Sequence, residues 1–129
     1  MGLSRIVLRF LSLRIHINLF HWQTYAYGQH KSSDHFLDEF TETMDRFVET
    51  YLGKCRPRKN LVLPSSSAIP LTNMNKKKML EALKDFRTYL DKEVAKDMPS
   101  GSKNEDLFNL CDELISITNR YLYQLSLYG

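Results

Sequence analysis

Acid is missing from the start of this chain: no aspartate or glutamate precedes Asp34, while Arg5, Arg9, Arg14 and Lys31 do. Three readings compete for that asymmetry: a basic helix end facing an acidic partner, a mitochondrial-type presequence, or chance. The presequence is disfavoured because the apolar pattern runs straight on into His21-Trp22. Cysteine is nearly absent, Cys55 and Cys111 being the only two. That excludes a disulfide-stapled scaffold and, with no secretory signal, points to a reduced, cytoplasmic compartment. Cys111, among Leu107, Leu110 and Leu114, reads as buried filler, and Cys55 as an exposed loop thiol. No long uninterrupted apolar run occurs either. Residues 6–22 contain Arg9, Arg14, His16, Asn18 and His21, which excludes a membrane span. The start Met1-Gly2-Leu3-Ser4-Arg5-Ile6 lacks the serine or threonine at position 6 that N-myristoylation requires. Net charge is only +3 with pI about 8.9, too mild to argue nucleic-acid binding by itself.

Glycine and proline are also scarce, five and four in 129 residues, and most lie between periodic segments. The chain therefore reads as one all-α domain over residues 1–129, large enough to bury a core. Four helices are expected, at about 3–27, 33–52, 75–97 and 103–127. The first carries Leu3, Ile6, Val7, Phe10, Leu13, Ile17, Phe20 and Tyr27 at helical spacing. Leu11–Leu19 also alternates apolar and polar, as a strand would, but the apolar run is far longer than a typical strand. Gly28 offers the first turn, Ser32 or Ser33 a helix cap, and Gly53 a C-terminal stop. Residues 54–74, with Pro57, Pro64, Pro70 and Ser65-Ser66-Ser67, form a long connection. Met79, Leu83, Phe86, Leu90 and Val94 mark the third helix, and Leu107, Leu110, Leu114, Ile117, Tyr121 and Leu125 the fourth. Ser102-Lys103-Asn104-Glu105 reads as a capping box. Short, long and short connections suit a four-helix bundle with one crossover between helices two and three, an arrangement that ferritin-like folds use.

Ligand chemistry gathers in one place only. His30, Asp34, Asp45 and Glu49 fall on the second helix and its approach, with His21-Trp22 upstream. Positions 34, 45 and 49 lie within roughly a 60° arc of a helix. His30 with Asp34, and Asp45 with Glu49, are i, i+4 pairs that aim from adjacent turns at one point. Imidazole plus carboxylate suits iron, manganese or zinc. His30 and Asp45, however, are fifteen residues apart, about 22 Å along a helix. One ion cannot reach both within one chain. Two copies of the helix packed antiparallel, crossing near Glu39-Phe40, would bring His30 and Asp34 opposite the Asp45 and Glu49 of the second copy, and a two-fold contact would do so twice. Trp22 reads first as a core anchor, with a further role beside a redox metal as a scavenger of oxidising equivalents. His16 and His35 are one residue off the stripe and read as surface or structural. Arg56-Pro57-Arg58-Lys59 and Lys76-Lys77-Lys78 flank the long connection; a solvated helix start is the plain reading, one shared phosphate or nucleic-acid patch the functional one.

The run His-Trp, His-x3-Asp and, eleven residues on, Asp-x3-Glu resembles the ferroxidase segment of the Dps-type ferritins, the small DNA-protection proteins of bacteria. The fuller pattern His21-Trp22-x-Thr24, Tyr27, His30-Lys31, Asp34, Asp45-x-Phe47-Val48-Glu49 and Gly53-Lys54 also resembles an uncharacterised ferritin-like family of small proteins from large DNA viruses. The resemblance implies His21, His30, Asp34, Asp45 and Glu49 as iron ligands or their outer shell, with Trp22 in that outer shell. It implies oxidation of Fe(II) by peroxide or oxygen, catalysed by His30, Asp34, Asp45 and Glu49, in a homodimer or a larger hollow shell. A viral relative would act in the host cytoplasm or the virion. The spacing from His21 to His30 is about three residues shorter than in Dps proteins. A lysine-rich N-terminal tail is missing, and helices three and four hold no histidine for an intrasubunit di-iron site. Two other classes remain open: a structural bundle without chemistry, viral or cellular, and a nucleic-acid-associated protein using its basic N-terminal face.

Overall fold

The computed structural model describes residues 2–127. Helix α1 spans Gly2–Gln23, α2 Tyr27–Lys54, α3 Lys76–Thr88 and α4 Glu105–Ser126. Beyond Thr88 the third helix continues as a π-helical turn, Tyr89–Glu93, and a 3-10 turn, Val94–Asp97. The architecture is an all-α four-helix bundle with one long crossover. Helix α1 packs on α2 and α3, and α4 packs on α2 and α3, while the diagonal pairs stay apart. Among the described residues no helix is long and apolar enough to cross a membrane.

Hydrogen bonds set the helix directions. Ser33 near the start of α2 meets Tyr121 near the end of α4, and Lys54 at the end of α2 meets Asp106 at the start of α4. These two helices are therefore antiparallel. Gln23 at the end of α1 bonds Asn73 and Met74 just before α3, whereas Gly2 abuts Asp97. The crossover thus travels the length of the bundle, and His16 fastens it, its Nε2 accepting from the Thr72 amide at 3.2 Å.

Phe10 lies at the centre of the core, edge-on to Phe40, Phe47 and Phe86 at 5.5–6.0 Å between ring centres. Such pairs add about 0.5–1.5 kcal/mol each beyond their buried area. The apolar spacing of the third helix explains its change of geometry. From Phe86 onward the core positions recur every four residues, so an α-helix would carry them off the core by about 40° at each step. The wider π turn absorbs that drift, and Phe86, Leu90 and Val94 all stay buried.

Several boundaries differ from the expectations above. The first turn falls at Thr24–Ala26 and Gly28 lies inside α2, so α1 stops short of 27 and α2 starts before 33. Tyr27 opens α2, exposed, instead of ending the apolar face of α1. Ser32 and Ser33 cap nothing. They are buried in the helix and donate to the carbonyls of Gly28 and Gln29. Gly53 is no stop, since α2 runs on to Lys54. The capping box does not form: Asn104 precedes α4 without a side-chain cap bond and turns its amide to Pro99 O. Asn75 does cap α3, accepting from Lys78 N at 2.9 Å. Cys55 is buried rather than exposed, its thiol donating to Tyr51 O. Cys111 is buried as expected, and desolvation pushes its thiol up to about 12.

Candidate metal centre

The turn between α1 and α2 is built by side chains rather than by glycine. Thr24 Oγ1 accepts from Ala26 N and donates to Gln29 Oε1 at 2.6 Å. His21 and His30 then clasp the two helix ends. Each Nδ1 sits 2.8 Å from the other residue's carbonyl oxygen, and the rings stack 3.8 Å apart, 13° from parallel. A carbonyl can only accept, so both Nδ1 atoms carry the proton. In the neutral rings each Nε2 therefore keeps its lone pair. This is the pattern of histidines that ligate metals, in which the second nitrogen donates to a carbonyl or carboxylate and fixes the tautomer.

Asp34, Asp45 and Glu49 are all exposed on α2. The buried face of that helix holds Phe36, Phe40, Met44, Phe47 and Tyr51, so the acid stripe points outward. His30 lies at one edge of the stripe, beside α1. Glu49 lies at the other, bordering a surface cavity with Arg46, Asp106 and Glu113. Five other acids of the bundle carry an ion pair: Glu39 with Arg120, Glu93 with Arg9, Glu113 with Arg46, Asp106 with Lys54 and Asp97 with Arg5. Among the described residues Asp34, Asp45 and Glu49 form no ion pair.

Within one chain the structure brings together His21 and His30 but not these two with Asp45 or Glu49. Among the described residues no three His, Cys, Asp or Glu side chains converge to hold an ion. The donor types fit a transition metal, but a single chain supplies only separate halves of the set. Trp22 is not a core anchor. It is 70% exposed, because it sits on the outer face of α1 at the last turn. His16 and His35 lie outside the stripe: His16 Nδ1 donates to Ser12 O, and His35 lines a cavity with Glu39, Arg120 and Tyr121. The two basic clusters cannot make one patch. Arg56–Lys59 follow the end of α2, whereas Lys76–Lys78 start α3 beside Gln23, at opposite ends of the bundle and about 30 Å apart at 1.5 Å per residue.

One feature of α1 escaped the apolar pattern. Leu8, Leu11, Ile15, Leu19 and Trp22 recur at three and four residues on the side of the helix away from Ile6, Phe10, Leu13 and Ile17. The first four are half-buried. A helix that is apolar on both sides is normally covered on both. Reading α1 for a second stripe, rather than for one core face, would have found it in the sequence.

The family described as a family of unknown function, DUF5856, matches residues 21–125. The chain belongs to that family. The matched region begins at His21 and takes in every residue of the candidate site. A second likeness is to the "Uncharacterized 14.6 kDa protein in mobD-ri intergenic region" of Enterobacteria phage T4, 28% identical over 74 residues. That alignment covers 57% of this chain and 56% of the phage protein, so the chain spans about half the length of this relative. No solved structure matches the chain.

Proposed function

We propose that this member of the family binds iron at a two-fold interface and oxidises Fe(II). His30 and Asp34 of one chain would act with Asp45 and Glu49 of a second, His21 being the auxiliary imidazole. The observation that carries the reading is the state of the two histidines. Both Nδ1 protons are committed to carbonyls, which presents Nε2 as the basic nitrogen. Three exposed carboxylates on one outward stripe support it, since anionic oxygen ligands offset cation charge and favour Fe(III) over Fe(II). The one-crossover bundle suits the ferritin-like resemblance, and the outer stripe of α1, beside α2, supplies apolar area for a subunit contact.

The chemistry is simple in balance. Two Fe(II) ions each lose one electron, and one hydrogen peroxide takes both, with two protons, to give two waters. Iron is the substrate here. The chain's part is to hold it between imidazole and carboxylate. Both cysteines are free and buried, which fits a reducing cytoplasm, that of an infected cell if the phage likeness extends to setting.

A second reading has its own observation. The reciprocal histidine bonds also close the α1–α2 hairpin, so His21 and His30 can be a structural clasp in a bundle without chemistry. Anaerobic Fe(II) titration followed by peroxide separates the two. Saturable binding and a ferric absorbance, both lost in Asp45→Ala, support the site, because Asp45 takes no part in the clasp. Iron uptake no greater than in buffer leaves the clasp alone.

A further inference from the structure

The α1–α2 turn holds three aromatic rings in solvent: Trp22 is 70% exposed, Tyr25 fully so and Tyr27 73%. Exposed aromatics on a floppy loop would mean little, but this turn is pinned. The Thr24 hydroxyl, the histidine clasp and the bonds from Thr24 N to Phe20 O and from His30 N to Ala26 O fix its backbone. Its surroundings are basic. Lys31 is exposed one turn beyond Tyr27. Gln23, next to Trp22, bonds Asn73 and Met74, which places Lys77 and Lys78 within about 10 Å of the turn at helical rise. Both lysines are exposed, Lys78 Nζ reaching Asn73 O at 3.3 Å. Acid is absent from residues 1–33 and again from 50–80, the segments that build α1, the turn and the crossover.

We infer that this end of the bundle binds single-stranded nucleic acid, its bases stacking on Tyr25, Tyr27 and Trp22 and its phosphates meeting Lys31, Lys77 and Lys78. Rigid aromatic platforms beside lysines are how proteins hold single strands without reading sequence, because every base has a stacking face. An anionic membrane is the rival partner for aromatics with lysines. It calls for a continuous exposed aliphatic face, whereas Gln23 and Thr24 lie between these rings and Leu8, Leu11, Ile15 and Leu19 behind Trp22 are half-buried. Tyr25, Lys77 and Lys78 lie outside a subunit contact centred near residue 39, Tyr25 being beyond the ends of both helices, so their part does not depend on the metal reading. Trp22, Tyr27 and Lys31 border that contact and are open to a strand only where it leaves the turn uncovered.

Trp22, the only tryptophan, reports directly. Full-length protein would be titrated with a short oligothymidine while its fluorescence is followed, at several salt concentrations. Quenching is expected to saturate. The slope of log K against log salt should show two or three phosphates neutralised, about −0.7 for each. Tyr25→Ala should weaken binding at least about five-fold, the lower bound for losing one stacked base. Lys77→Glu with Lys78→Glu should flatten the salt slope while thermal stability holds. Unchanged fluorescence, equal binding of duplex, or binding of phosphatidylserine vesicles in place of the oligonucleotide would each overturn the inference.

Discussion

Ser33 and Tyr121 make a hydrogen bond whose proton can be assigned, and the assignment predicts an unequal cost for removing each partner. The two oxygens lie 2.5 Å apart, in residues 0% and 1% exposed. Ser33 Oγ also donates its single proton to Gln29 O at 2.7 Å, so Tyr121 must be the donor to Ser33. Tyr121→Phe therefore removes a donor but leaves the Ser33 proton bonded, at a cost of about 1 kcal/mol. Ring stacking on Phe36, 4.8 Å away, survives that change. Ser33→Ala strands the buried phenol without an acceptor, at about 1–3 kcal/mol. Alanine also improves helix propensity by about 0.5 kcal/mol, which works against the expected order and makes the test conservative. Guanidinium melts followed by circular dichroism measure both. Melting temperature should fall by about 3–5 °C per kcal/mol in a domain of this size. The double variant should lose less than the sum of the two. A loss in Tyr121→Phe equal to or above that in Ser33→Ala would refute the proton assignment.

Other expectations follow from single positions. Gly2→Ala should destabilise by about 1–3 kcal/mol, because its Cβ would fall 2.3 Å from the Asp97 carbonyl oxygen, a backbone atom that cannot swing aside. Gly53→Ala, with nothing within 4 Å of the new carbon, should stabilise α2 by about 0.5–1 kcal/mol; comparing the two in urea melts checks both. Burial raises the pKa of Cys111, to about 12, and those of Tyr89 and Tyr121. Each group is neutral in the folded core, so its stabilisation is complete below its ordinary value. It is lost as pH rises toward the folded one. Stability should hold through pH 8 and decline between about pH 9 and 12, with Cys111→Ser removing part of that slope in pH-dependent melts. Phe10→Ala should cost about 3–5 kcal/mol in the same melts, since that ring touches three others in the core.

The sequence was most legible where apolar periodicity carried the signal. Leu83 and Phe86 on α3, Leu90 on the turn that continues it, and Leu107, Leu110, Leu114, Ile117, Tyr121 and Leu125 on α4 are buried where their spacing put them. Turns built from side chains were not legible. Gly28 and the two serines looked like a break and a cap, but serines tolerate a helix interior when they bond back to the carbonyl four residues earlier. The real turn at Thr24–Ala26 contains no glycine or proline and depends on a contact across nine residues between two histidines. Trp22 misled because size suggests burial, whereas its place in the stripe with Leu8 and Leu19 sets it outside. The acid stripe was readable as a stripe. Its lack of ion pairs was not, because which acids pair depends on what α4 brings opposite them.

Subunit complementation tests the intersubunit metal site most directly. One variant would carry His30→Ala with Asp34→Ala, and another Asp45→Ala with Glu49→Ala; each alone should neither hold nor oxidise iron. Refolded together in equal amounts, half of the random dimers are mixed, and each mixed dimer regains one intact site of two. Peroxide-driven Fe(II) oxidation should then return to about a quarter of the wild-type level. Oxidation that stays at the level of the separate variants, while the mixture folds and the wild type is active, would contradict a site shared between chains.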